Sequence, residues 1–186
     1  MLTTATMRIR PDFRGNLLLR LLVVAYAIVW AVTAIDPVYP TDWVLENLLV
    51  AVAVPAFLLT YRKFPLSDVS YIAITAFMML HAVGAHYTYA EVPLGDWAKE
   101  AFGLSRNHFD RVVHFSFGLF MAYPIREIFL RLVNAKGFWA LYFPLDVTLA
   151  FSAFYEIVEM IVAFLVSPGA GDAYLSQLEW EKVDMG

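Results

Sequence analysis

Apolar residues run through this chain in long unbroken stretches, with neither the alternation of a half-buried strand nor the stripe of a surface helix. A stretch such as LLLRLLVVAYAIVWAVTAI approaches the roughly 20 residues that a helix needs to cross hydrocarbon. It lacks the in-out alternation of a membrane barrel strand. Only helices or closed barrels satisfy every backbone polar group in lipid, so each stretch reads as a spanning helix. Five are predicted, at 16–35, 43–61, 68–84, 108–132 and 138–166, with a polar tail over 167–186. The fold class is therefore all-α, a polytopic transmembrane helix bundle forming one integral membrane domain over 1–186.

Composition agrees with the pattern. The chain is 61% hydrophobic and 16% charged, where a soluble domain carries about 25% charged residues. It has no cysteine, which excludes a disulfide framework and a thiolate metal site. Val32-Thr33-Ala34 resembles a signal cleavage site, but the preceding apolar run exceeds the roughly 7–15 residues of a signal core.

The basic residues set an orientation. Arg8, Arg10, Arg14, Arg20, Arg62, Lys63, Arg126, Arg131 and Lys136 fall on one side of the predicted spans, and Lys99, Arg106, Arg111 and Lys182 on the other. The positive-inside rule then places the amino terminus in the cytoplasm and the tail outside.

That topology gathers nine chemically loaded side chains on the outer layer: His81, His86, Glu91, Asp110, His114, Glu156, Glu159, Asp172 and Asp184. Ionisable groups at membrane depth are costly and tend to mark function. Asp110 and His114, four apart, share a helix face, as do Glu156 and Glu159, three apart. Imidazole and carboxylate donors suit zinc, iron or manganese. The expected metal set is His81, His86, Asp110, His114 and Glu156, with Glu159 or Glu91 as general base and Arg111 as an anion clamp. A bound ion would activate water for attack on a phosphoryl or acyl group. No spacing is diagnostic, since His-Glu-x-x-His is absent.

Plainer roles exist for several of these residues. Asp110 can pair with Arg106 or Arg111, His86 can sit with Tyr87 and Tyr89 in an interfacial aromatic belt, and Glu91 can cap a loop. Asp172 follows Pro168, Gly169 and Gly171, a turn-forming combination. Asp146 lies near the inner end of the fifth span and is left out of the site. Glu156 and Glu159 resist a plain account, because two carboxylates at one depth repel unless protonated, paired or metal-bound.

The blocks HAVGAHYTYAEVPLG, RNHFDRVVHFSFGL, PIREIFLR, AFSAFYEIVEM and GAGDAYLSQLEWEKVDM resemble those of the YjdF-like bacterial inner-membrane family, whose function is unknown. The resemblance covers 67–186 and places the family's polar positions on His81, His86, Tyr87, Glu91, Asn107, Asp110, Arg111, His114, Arg126, Glu156, Glu159, Asp172 and Asp184. The Asp110 to Phe115 block also bears a fainter similarity to VanZ-like membrane proteins, which implies lipid or envelope chemistry. In the family, the block matching Asp184-Met185 leads into a last apolar helix, so a sixth span is expected after Gly186. SQLEWEKVDM also departs from the turn expected there.

The leading expectation is metal-assisted hydrolysis or transfer on a lipid-linked or envelope substrate, a metal-dependent membrane hydrolase or transferase. The alternatives are a proton- or cation-coupled transporter or channel and a non-catalytic membrane binding or scaffold protein. Membrane lipid is the expected partner, with no nucleic acid, and the oligomeric state is left open.

Overall fold

The computed structural model describes residues 13–166, and among them every regular element is helical. A 3-10 turn at Phe13–Gly15 leads into α1 (Leu17–Thr33), α2 (Pro40–Tyr61), α3 (Asp68–His86), α4 (Pro93–Phe102), α5 (Phe109–Ile128) and α6 (Trp139–Val166). α5 runs on through a π-helical turn, Phe129–Val133, and stops at Asn134, whose φ of 52° is left-handed. Five of these helices fall on the five apolar stretches. The other, α4, forms in the 85–107 connection, which the apolar pattern reads as loop.

Among the described residues, three helical segments are long and apolar enough to cross a membrane: α2, α3 and Trp139–Val158 of α6. The 22 residues of α2 rise about 33 Å, matching a hydrocarbon layer of roughly 30 Å. α1 is apolar but shorter, and α5 is long enough but carries Asp110, Arg111, His114, Arg126 and Glu127. The helices start where local chemistry permits. Asn16 Oδ1 accepts from Leu19 N at the start of α1, Ser67 Oγ accepts from Ser70 N at the start of α3, and proline opens α2 and α4.

α3 is the central helix. Its buried positions, Ser70, Ile74, Phe77, His81 and Ala85 with Tyr71, Met78 and Ala82 alongside, recur every three or four residues and make one continuous stripe. Half of its apolar window is buried, against 6% for α2 and 11% for α6. α1 and α5 pack on α3, and α6 packs on α5. α2 leans on α3 more lightly and is tied to α1 by Trp30, whose indole N–H donates to Asn47 Oδ1 at 2.6 Å. The outward faces of α1, α2 and α6 carry exposed Leu, Val, Ile and Phe, which meet acyl chains in a bilayer.

A charged cluster fixes the first turn of α3. The Glu127 carboxylate accepts from Ser67 N at 2.8 and 2.9 Å, from Ser70 Oγ at 2.5 Å and from Arg131 at 2.9 Å. Arg131 also donates to the Pro65 carbonyl at 2.6 Å and lies 4.0 Å over the Phe64 ring. A carboxylate at a helix N-terminus is favoured by the helix dipole as well as by these donors.

Glu127→Ala removes the acceptor from three donors at once and is expected to destabilise the protein by about 2–3 kcal/mol. The thermal midpoint in detergent micelles reads this out, and a midpoint equal to the parent's would show that α3 is anchored by other contacts.

Candidate functional site

At the opposite end of the bundle the chain leaves α3 through a tight reversal. Tyr87 N and Tyr89 N both donate to the Gly84 carbonyl, at 3.1 and 2.8 Å. Thr88 and Tyr89 take left-handed φ values of 54° and 57°, which costs an L-residue roughly 1–2 kcal/mol each. The reversal lays the Tyr89 ring back over α3. Gly84 makes room for it, because a Cβ at that position would collide with the ring.

Tyr89 thereby reaches two other segments. Its hydroxyl lies 2.8 Å from His81 Nδ1 and donates to Glu46 Oε2 of α2 at 3.0 Å. Tyr155 of α6 donates to the same Glu46 oxygen. His81 is only 2% exposed. Its ring lies near those of Phe77 and Tyr89, with centroids 6.2 Å away in each case. Three helices and a loop thus meet in one chain of hydrogen bonds, His81 to Tyr89 to Glu46 to Tyr155.

With Tyr89 donating to an ionised Glu46, the proton order along this chain assigns a role to the histidine. A carboxylate only accepts, so the single hydroxyl proton of Tyr89 goes to Glu46. The Tyr89 oxygen must then accept, and His81 supplies the proton from Nδ1–H. A neutral imidazole with its proton on Nδ1 carries a bare lone pair on Nε2. That atom is buried and has no hydrogen-bond partner among the described residues. It can take up a proton or bind a metal ion.

The remaining residues singled out from sequence lie near this end but take separate partners. His86 Nδ1 donates to the Thr33 carbonyl of α1 at 2.9 Å, and its ring meets Tyr87 edge-on. Glu91 is exposed and accepts from Tyr39 at 3.2 Å, a bond that holds the Tyr39 phenol above its usual range. Asp110 pairs with Arg106 at 3.5 Å, and its other oxygen, Oδ1, is buried without a hydrogen-bond partner. His114 faces Ser152 of α6, with Nδ1 3.5 Å from the hydroxyl, while Arg111 and Glu156 are exposed. The side chain of Glu159 and all of Asp172 and Asp184 lie outside the described residues. Among the described residues, no three His, Asp or Glu side chains are grouped to hold a metal ion.

Two members of the chain were not among the residues singled out from sequence. Glu46 had a readable signal, a carboxylate set within the second apolar stretch beside Asn47. Tyr155 had none, since one more tyrosine in an apolar helix looks like packing. Tyr89 was expected in an interfacial belt and is instead folded back onto α3.

An all-helical bundle with apolar outward faces and an internal polar chain defines a helical integral membrane protein. The chain belongs to the DUF2238 family of predicted membrane proteins, whose family model matches residues 18–182. It is similar to the inner membrane protein YjdF of Escherichia coli strain K12, at 38% identity over 131 residues, 70% of this chain and 63% of that one. The matched region thus spans less than two thirds of the relative's length. No solved structure matches the chain.

In protein labelled with 15N-histidine, His81 is expected to show a protonated Nδ1 and a bare Nε2, its signals assigned among the four histidines by loss in His81→Asn. Tyr89→Phe and Gly84→Ala should both abolish the shielded Nδ1–H. The same tautomer persisting in Tyr89→Phe would mean that another group sets it.

Proposed function

We propose that the protein is a membrane-embedded hydrolase or transferase acting on a lipid-linked or envelope substrate, with His81 Nε2 as its reactive nitrogen. The supporting observation is the lone pair on Nε2, oriented through Nδ1 by Tyr89 and Glu46 much as a third group orients a catalytic imidazole. The positive-inside rule sets this end of the bundle on the extracytoplasmic side, where envelope substrates are met. In the metal-assisted form, a zinc, iron or manganese ion would take His81 as a ligand. His86, Asp110, His114 and Glu156, which take separate partners or stand exposed here, would have to turn toward it to complete the ligand set, with Glu91, Glu159 and Arg111 as base and anion clamp.

The transporter reading has less support. It needs polar groups that continue to the other end of the bundle, where Glu127 is engaged with the start of α3 and Thr148 donates to the Pro144 carbonyl at 2.6 Å. A packing role draws support from the burial of His81, and the same variants separate it from catalysis.

The test uses liposomes holding the parent, His81→Asn or Glu46→Gln protein, incubated with an extract of bacterial inner-membrane lipids and envelope precursors, with products followed by mass spectrometry. Loss of an acid–base group lowers turnover about 10²–10⁴-fold. That loss is expected in His81→Asn with the thermal midpoint held near the parent's. Equal turnover in parent and His81→Asn sinks the proposal, and collapse of the fold in both variants points to packing. Stoichiometric metal in the parent that is lost in His81→Asn would establish the metal-assisted form.

A further inference from the structure

α4 is a helix of ten residues, about 15 Å long and half of what a span requires. Its sequence is nonetheless sorted around the axis. Leu94, Trp97, Ala98, Ala101 and Phe102 follow the spacing of one helical face, while Asp96, Lys99 and Glu100 occupy the other. In a soluble domain the apolar face would turn inward. Here it turns out: Leu94 is 64%, Trp97 61% and Phe102 72% exposed.

The contacts that hold α4 come from Gly95, at the edge of that face, and from Asp96. Gly95 lies so close to Asn107 that a Cβ there would collide with the Asn107 amide. Asn107 is buried, and its amide donates to the Val92 carbonyl and to Asp96 Oδ1, both at 3.0 Å. Its Oδ1 accepts from Phe109 N at 3.0 Å, at the first turn of α5. Val92, immediately before α4, is packed into the core. One buried asparagine therefore ties the start of α4 to the start of α5 and leaves Leu94, Trp97 and Phe102 exposed.

Its place in the fold identifies what that face meets. Residues 87–92 separate α4 from the end of α3, and residues 103–108 separate it from the start of α5. Both helices coincide with predicted spans and end at this side of the bundle, so α4 is held at the level where the chain leaves the hydrocarbon. A short amphipathic helix bearing tryptophan and phenylalanine suits the boundary between headgroups and acyl chains.

We propose that α4 lies in the plane of the membrane interface, with Leu94, Trp97 and Phe102 inserted into the leaflet from which α3 and α5 emerge. Its polar face carries Asp96, Lys99 and Glu100, a net charge of about −1. The attraction therefore rests on apolar area and not on anionic lipid. This anchoring fixes the middle of the 87–108 segment, between Tyr89 and Asn107, and it does not depend on His81 being reactive.

The absence of native cysteine makes the test direct. Single cysteines at Leu94, Trp97, Phe102, Lys99 and Glu100 carry a nitroxide in full-length protein reconstituted into phosphatidylcholine nanodiscs. Power-saturation measurements compare collision with oxygen, which concentrates in lipid, and with a water-soluble nickel chelate. Labels at Leu94, Trp97 and Phe102 are expected to give a higher oxygen-to-nickel ratio than those at Lys99 and Glu100, unchanged when salt is raised. Leu94→Cys and Phe102→Cys leave Trp97 in place, so a folding defect in Trp97→Cys does not decide the matter. High nickel access at Leu94 and Phe102 would put the face in water and overturn the proposal. Exclusion of both reagents there would also overturn it, since the face would then be covered by the tail of this chain or by a second copy.

Discussion

A polar group taken into hydrocarbon must find its partner inside the protein, and that constraint decides which helices of this bundle are neighbours. Apolar area alone does not, because acyl chains solvate leucine as well as another helix does. α3 is held at both ends by polar contacts to other elements. At one end Glu127 of α5 gathers Ser67, Ser70 and Arg131. At the other, His81 is joined through Tyr89 to Glu46 of α2, and Glu46 in turn accepts from Tyr155 of α6. α2 has little other claim on its position, since so little of its surface is buried. Glu46, together with the Asn47 to Trp30 bond, gives it a defined rotation.

The helices were legible in the sequence because an uninterrupted apolar run has few alternatives in lipid. α4 was not, because a search for spans passes over ten residues, although the spacing of Leu94, Trp97, Ala98 and Ala101 was there to be read. The same distinction separates what was and was not readable in the candidate site. Topology assigns residues to a level along the bundle axis, and it grouped His81, His86, Glu91, Asp110 and His114 at one end. It carries little information about rotation, which decides contact. Tyr155 and Glu156 are adjacent in α6, so they project about 100° apart; the tyrosine reaches Glu46 and the carboxylate is exposed. Asp110 and His114 share a face of α5 yet pair with Arg106 and Ser152.

Glu46 shows how a strong local signal is lost to context. It follows Asp42 and precedes Asn47 at the entry of the second apolar stretch, where polar residues ordinarily mark the water boundary. What distinguishes it is not its depth but its company. Two tyrosine hydroxyls from distant parts of the chain converge on one of its oxygens, an arrangement that no spacing within α2 could announce.

The loop before α4 carries two left-handed residues in succession, neither of them glycine. Such backbone persists only where the surroundings over-determine it. Here they do so through the Gly84 carbonyl, which takes the Tyr87 and Tyr89 amides, and through the hydroxyl of Tyr89 at His81 and Glu46. An unsatisfied buried acceptor costs about 1–3 kcal/mol, and a network of buried hydrogen bonds that stops short bears that cost. This one ends on His81 Nε2, which no described residue satisfies. The strained reversal is thus what carries the Tyr89 hydroxyl to His81 Nδ1 and to Glu46, joining α3 to α2 at the end of the bundle where His81 is buried.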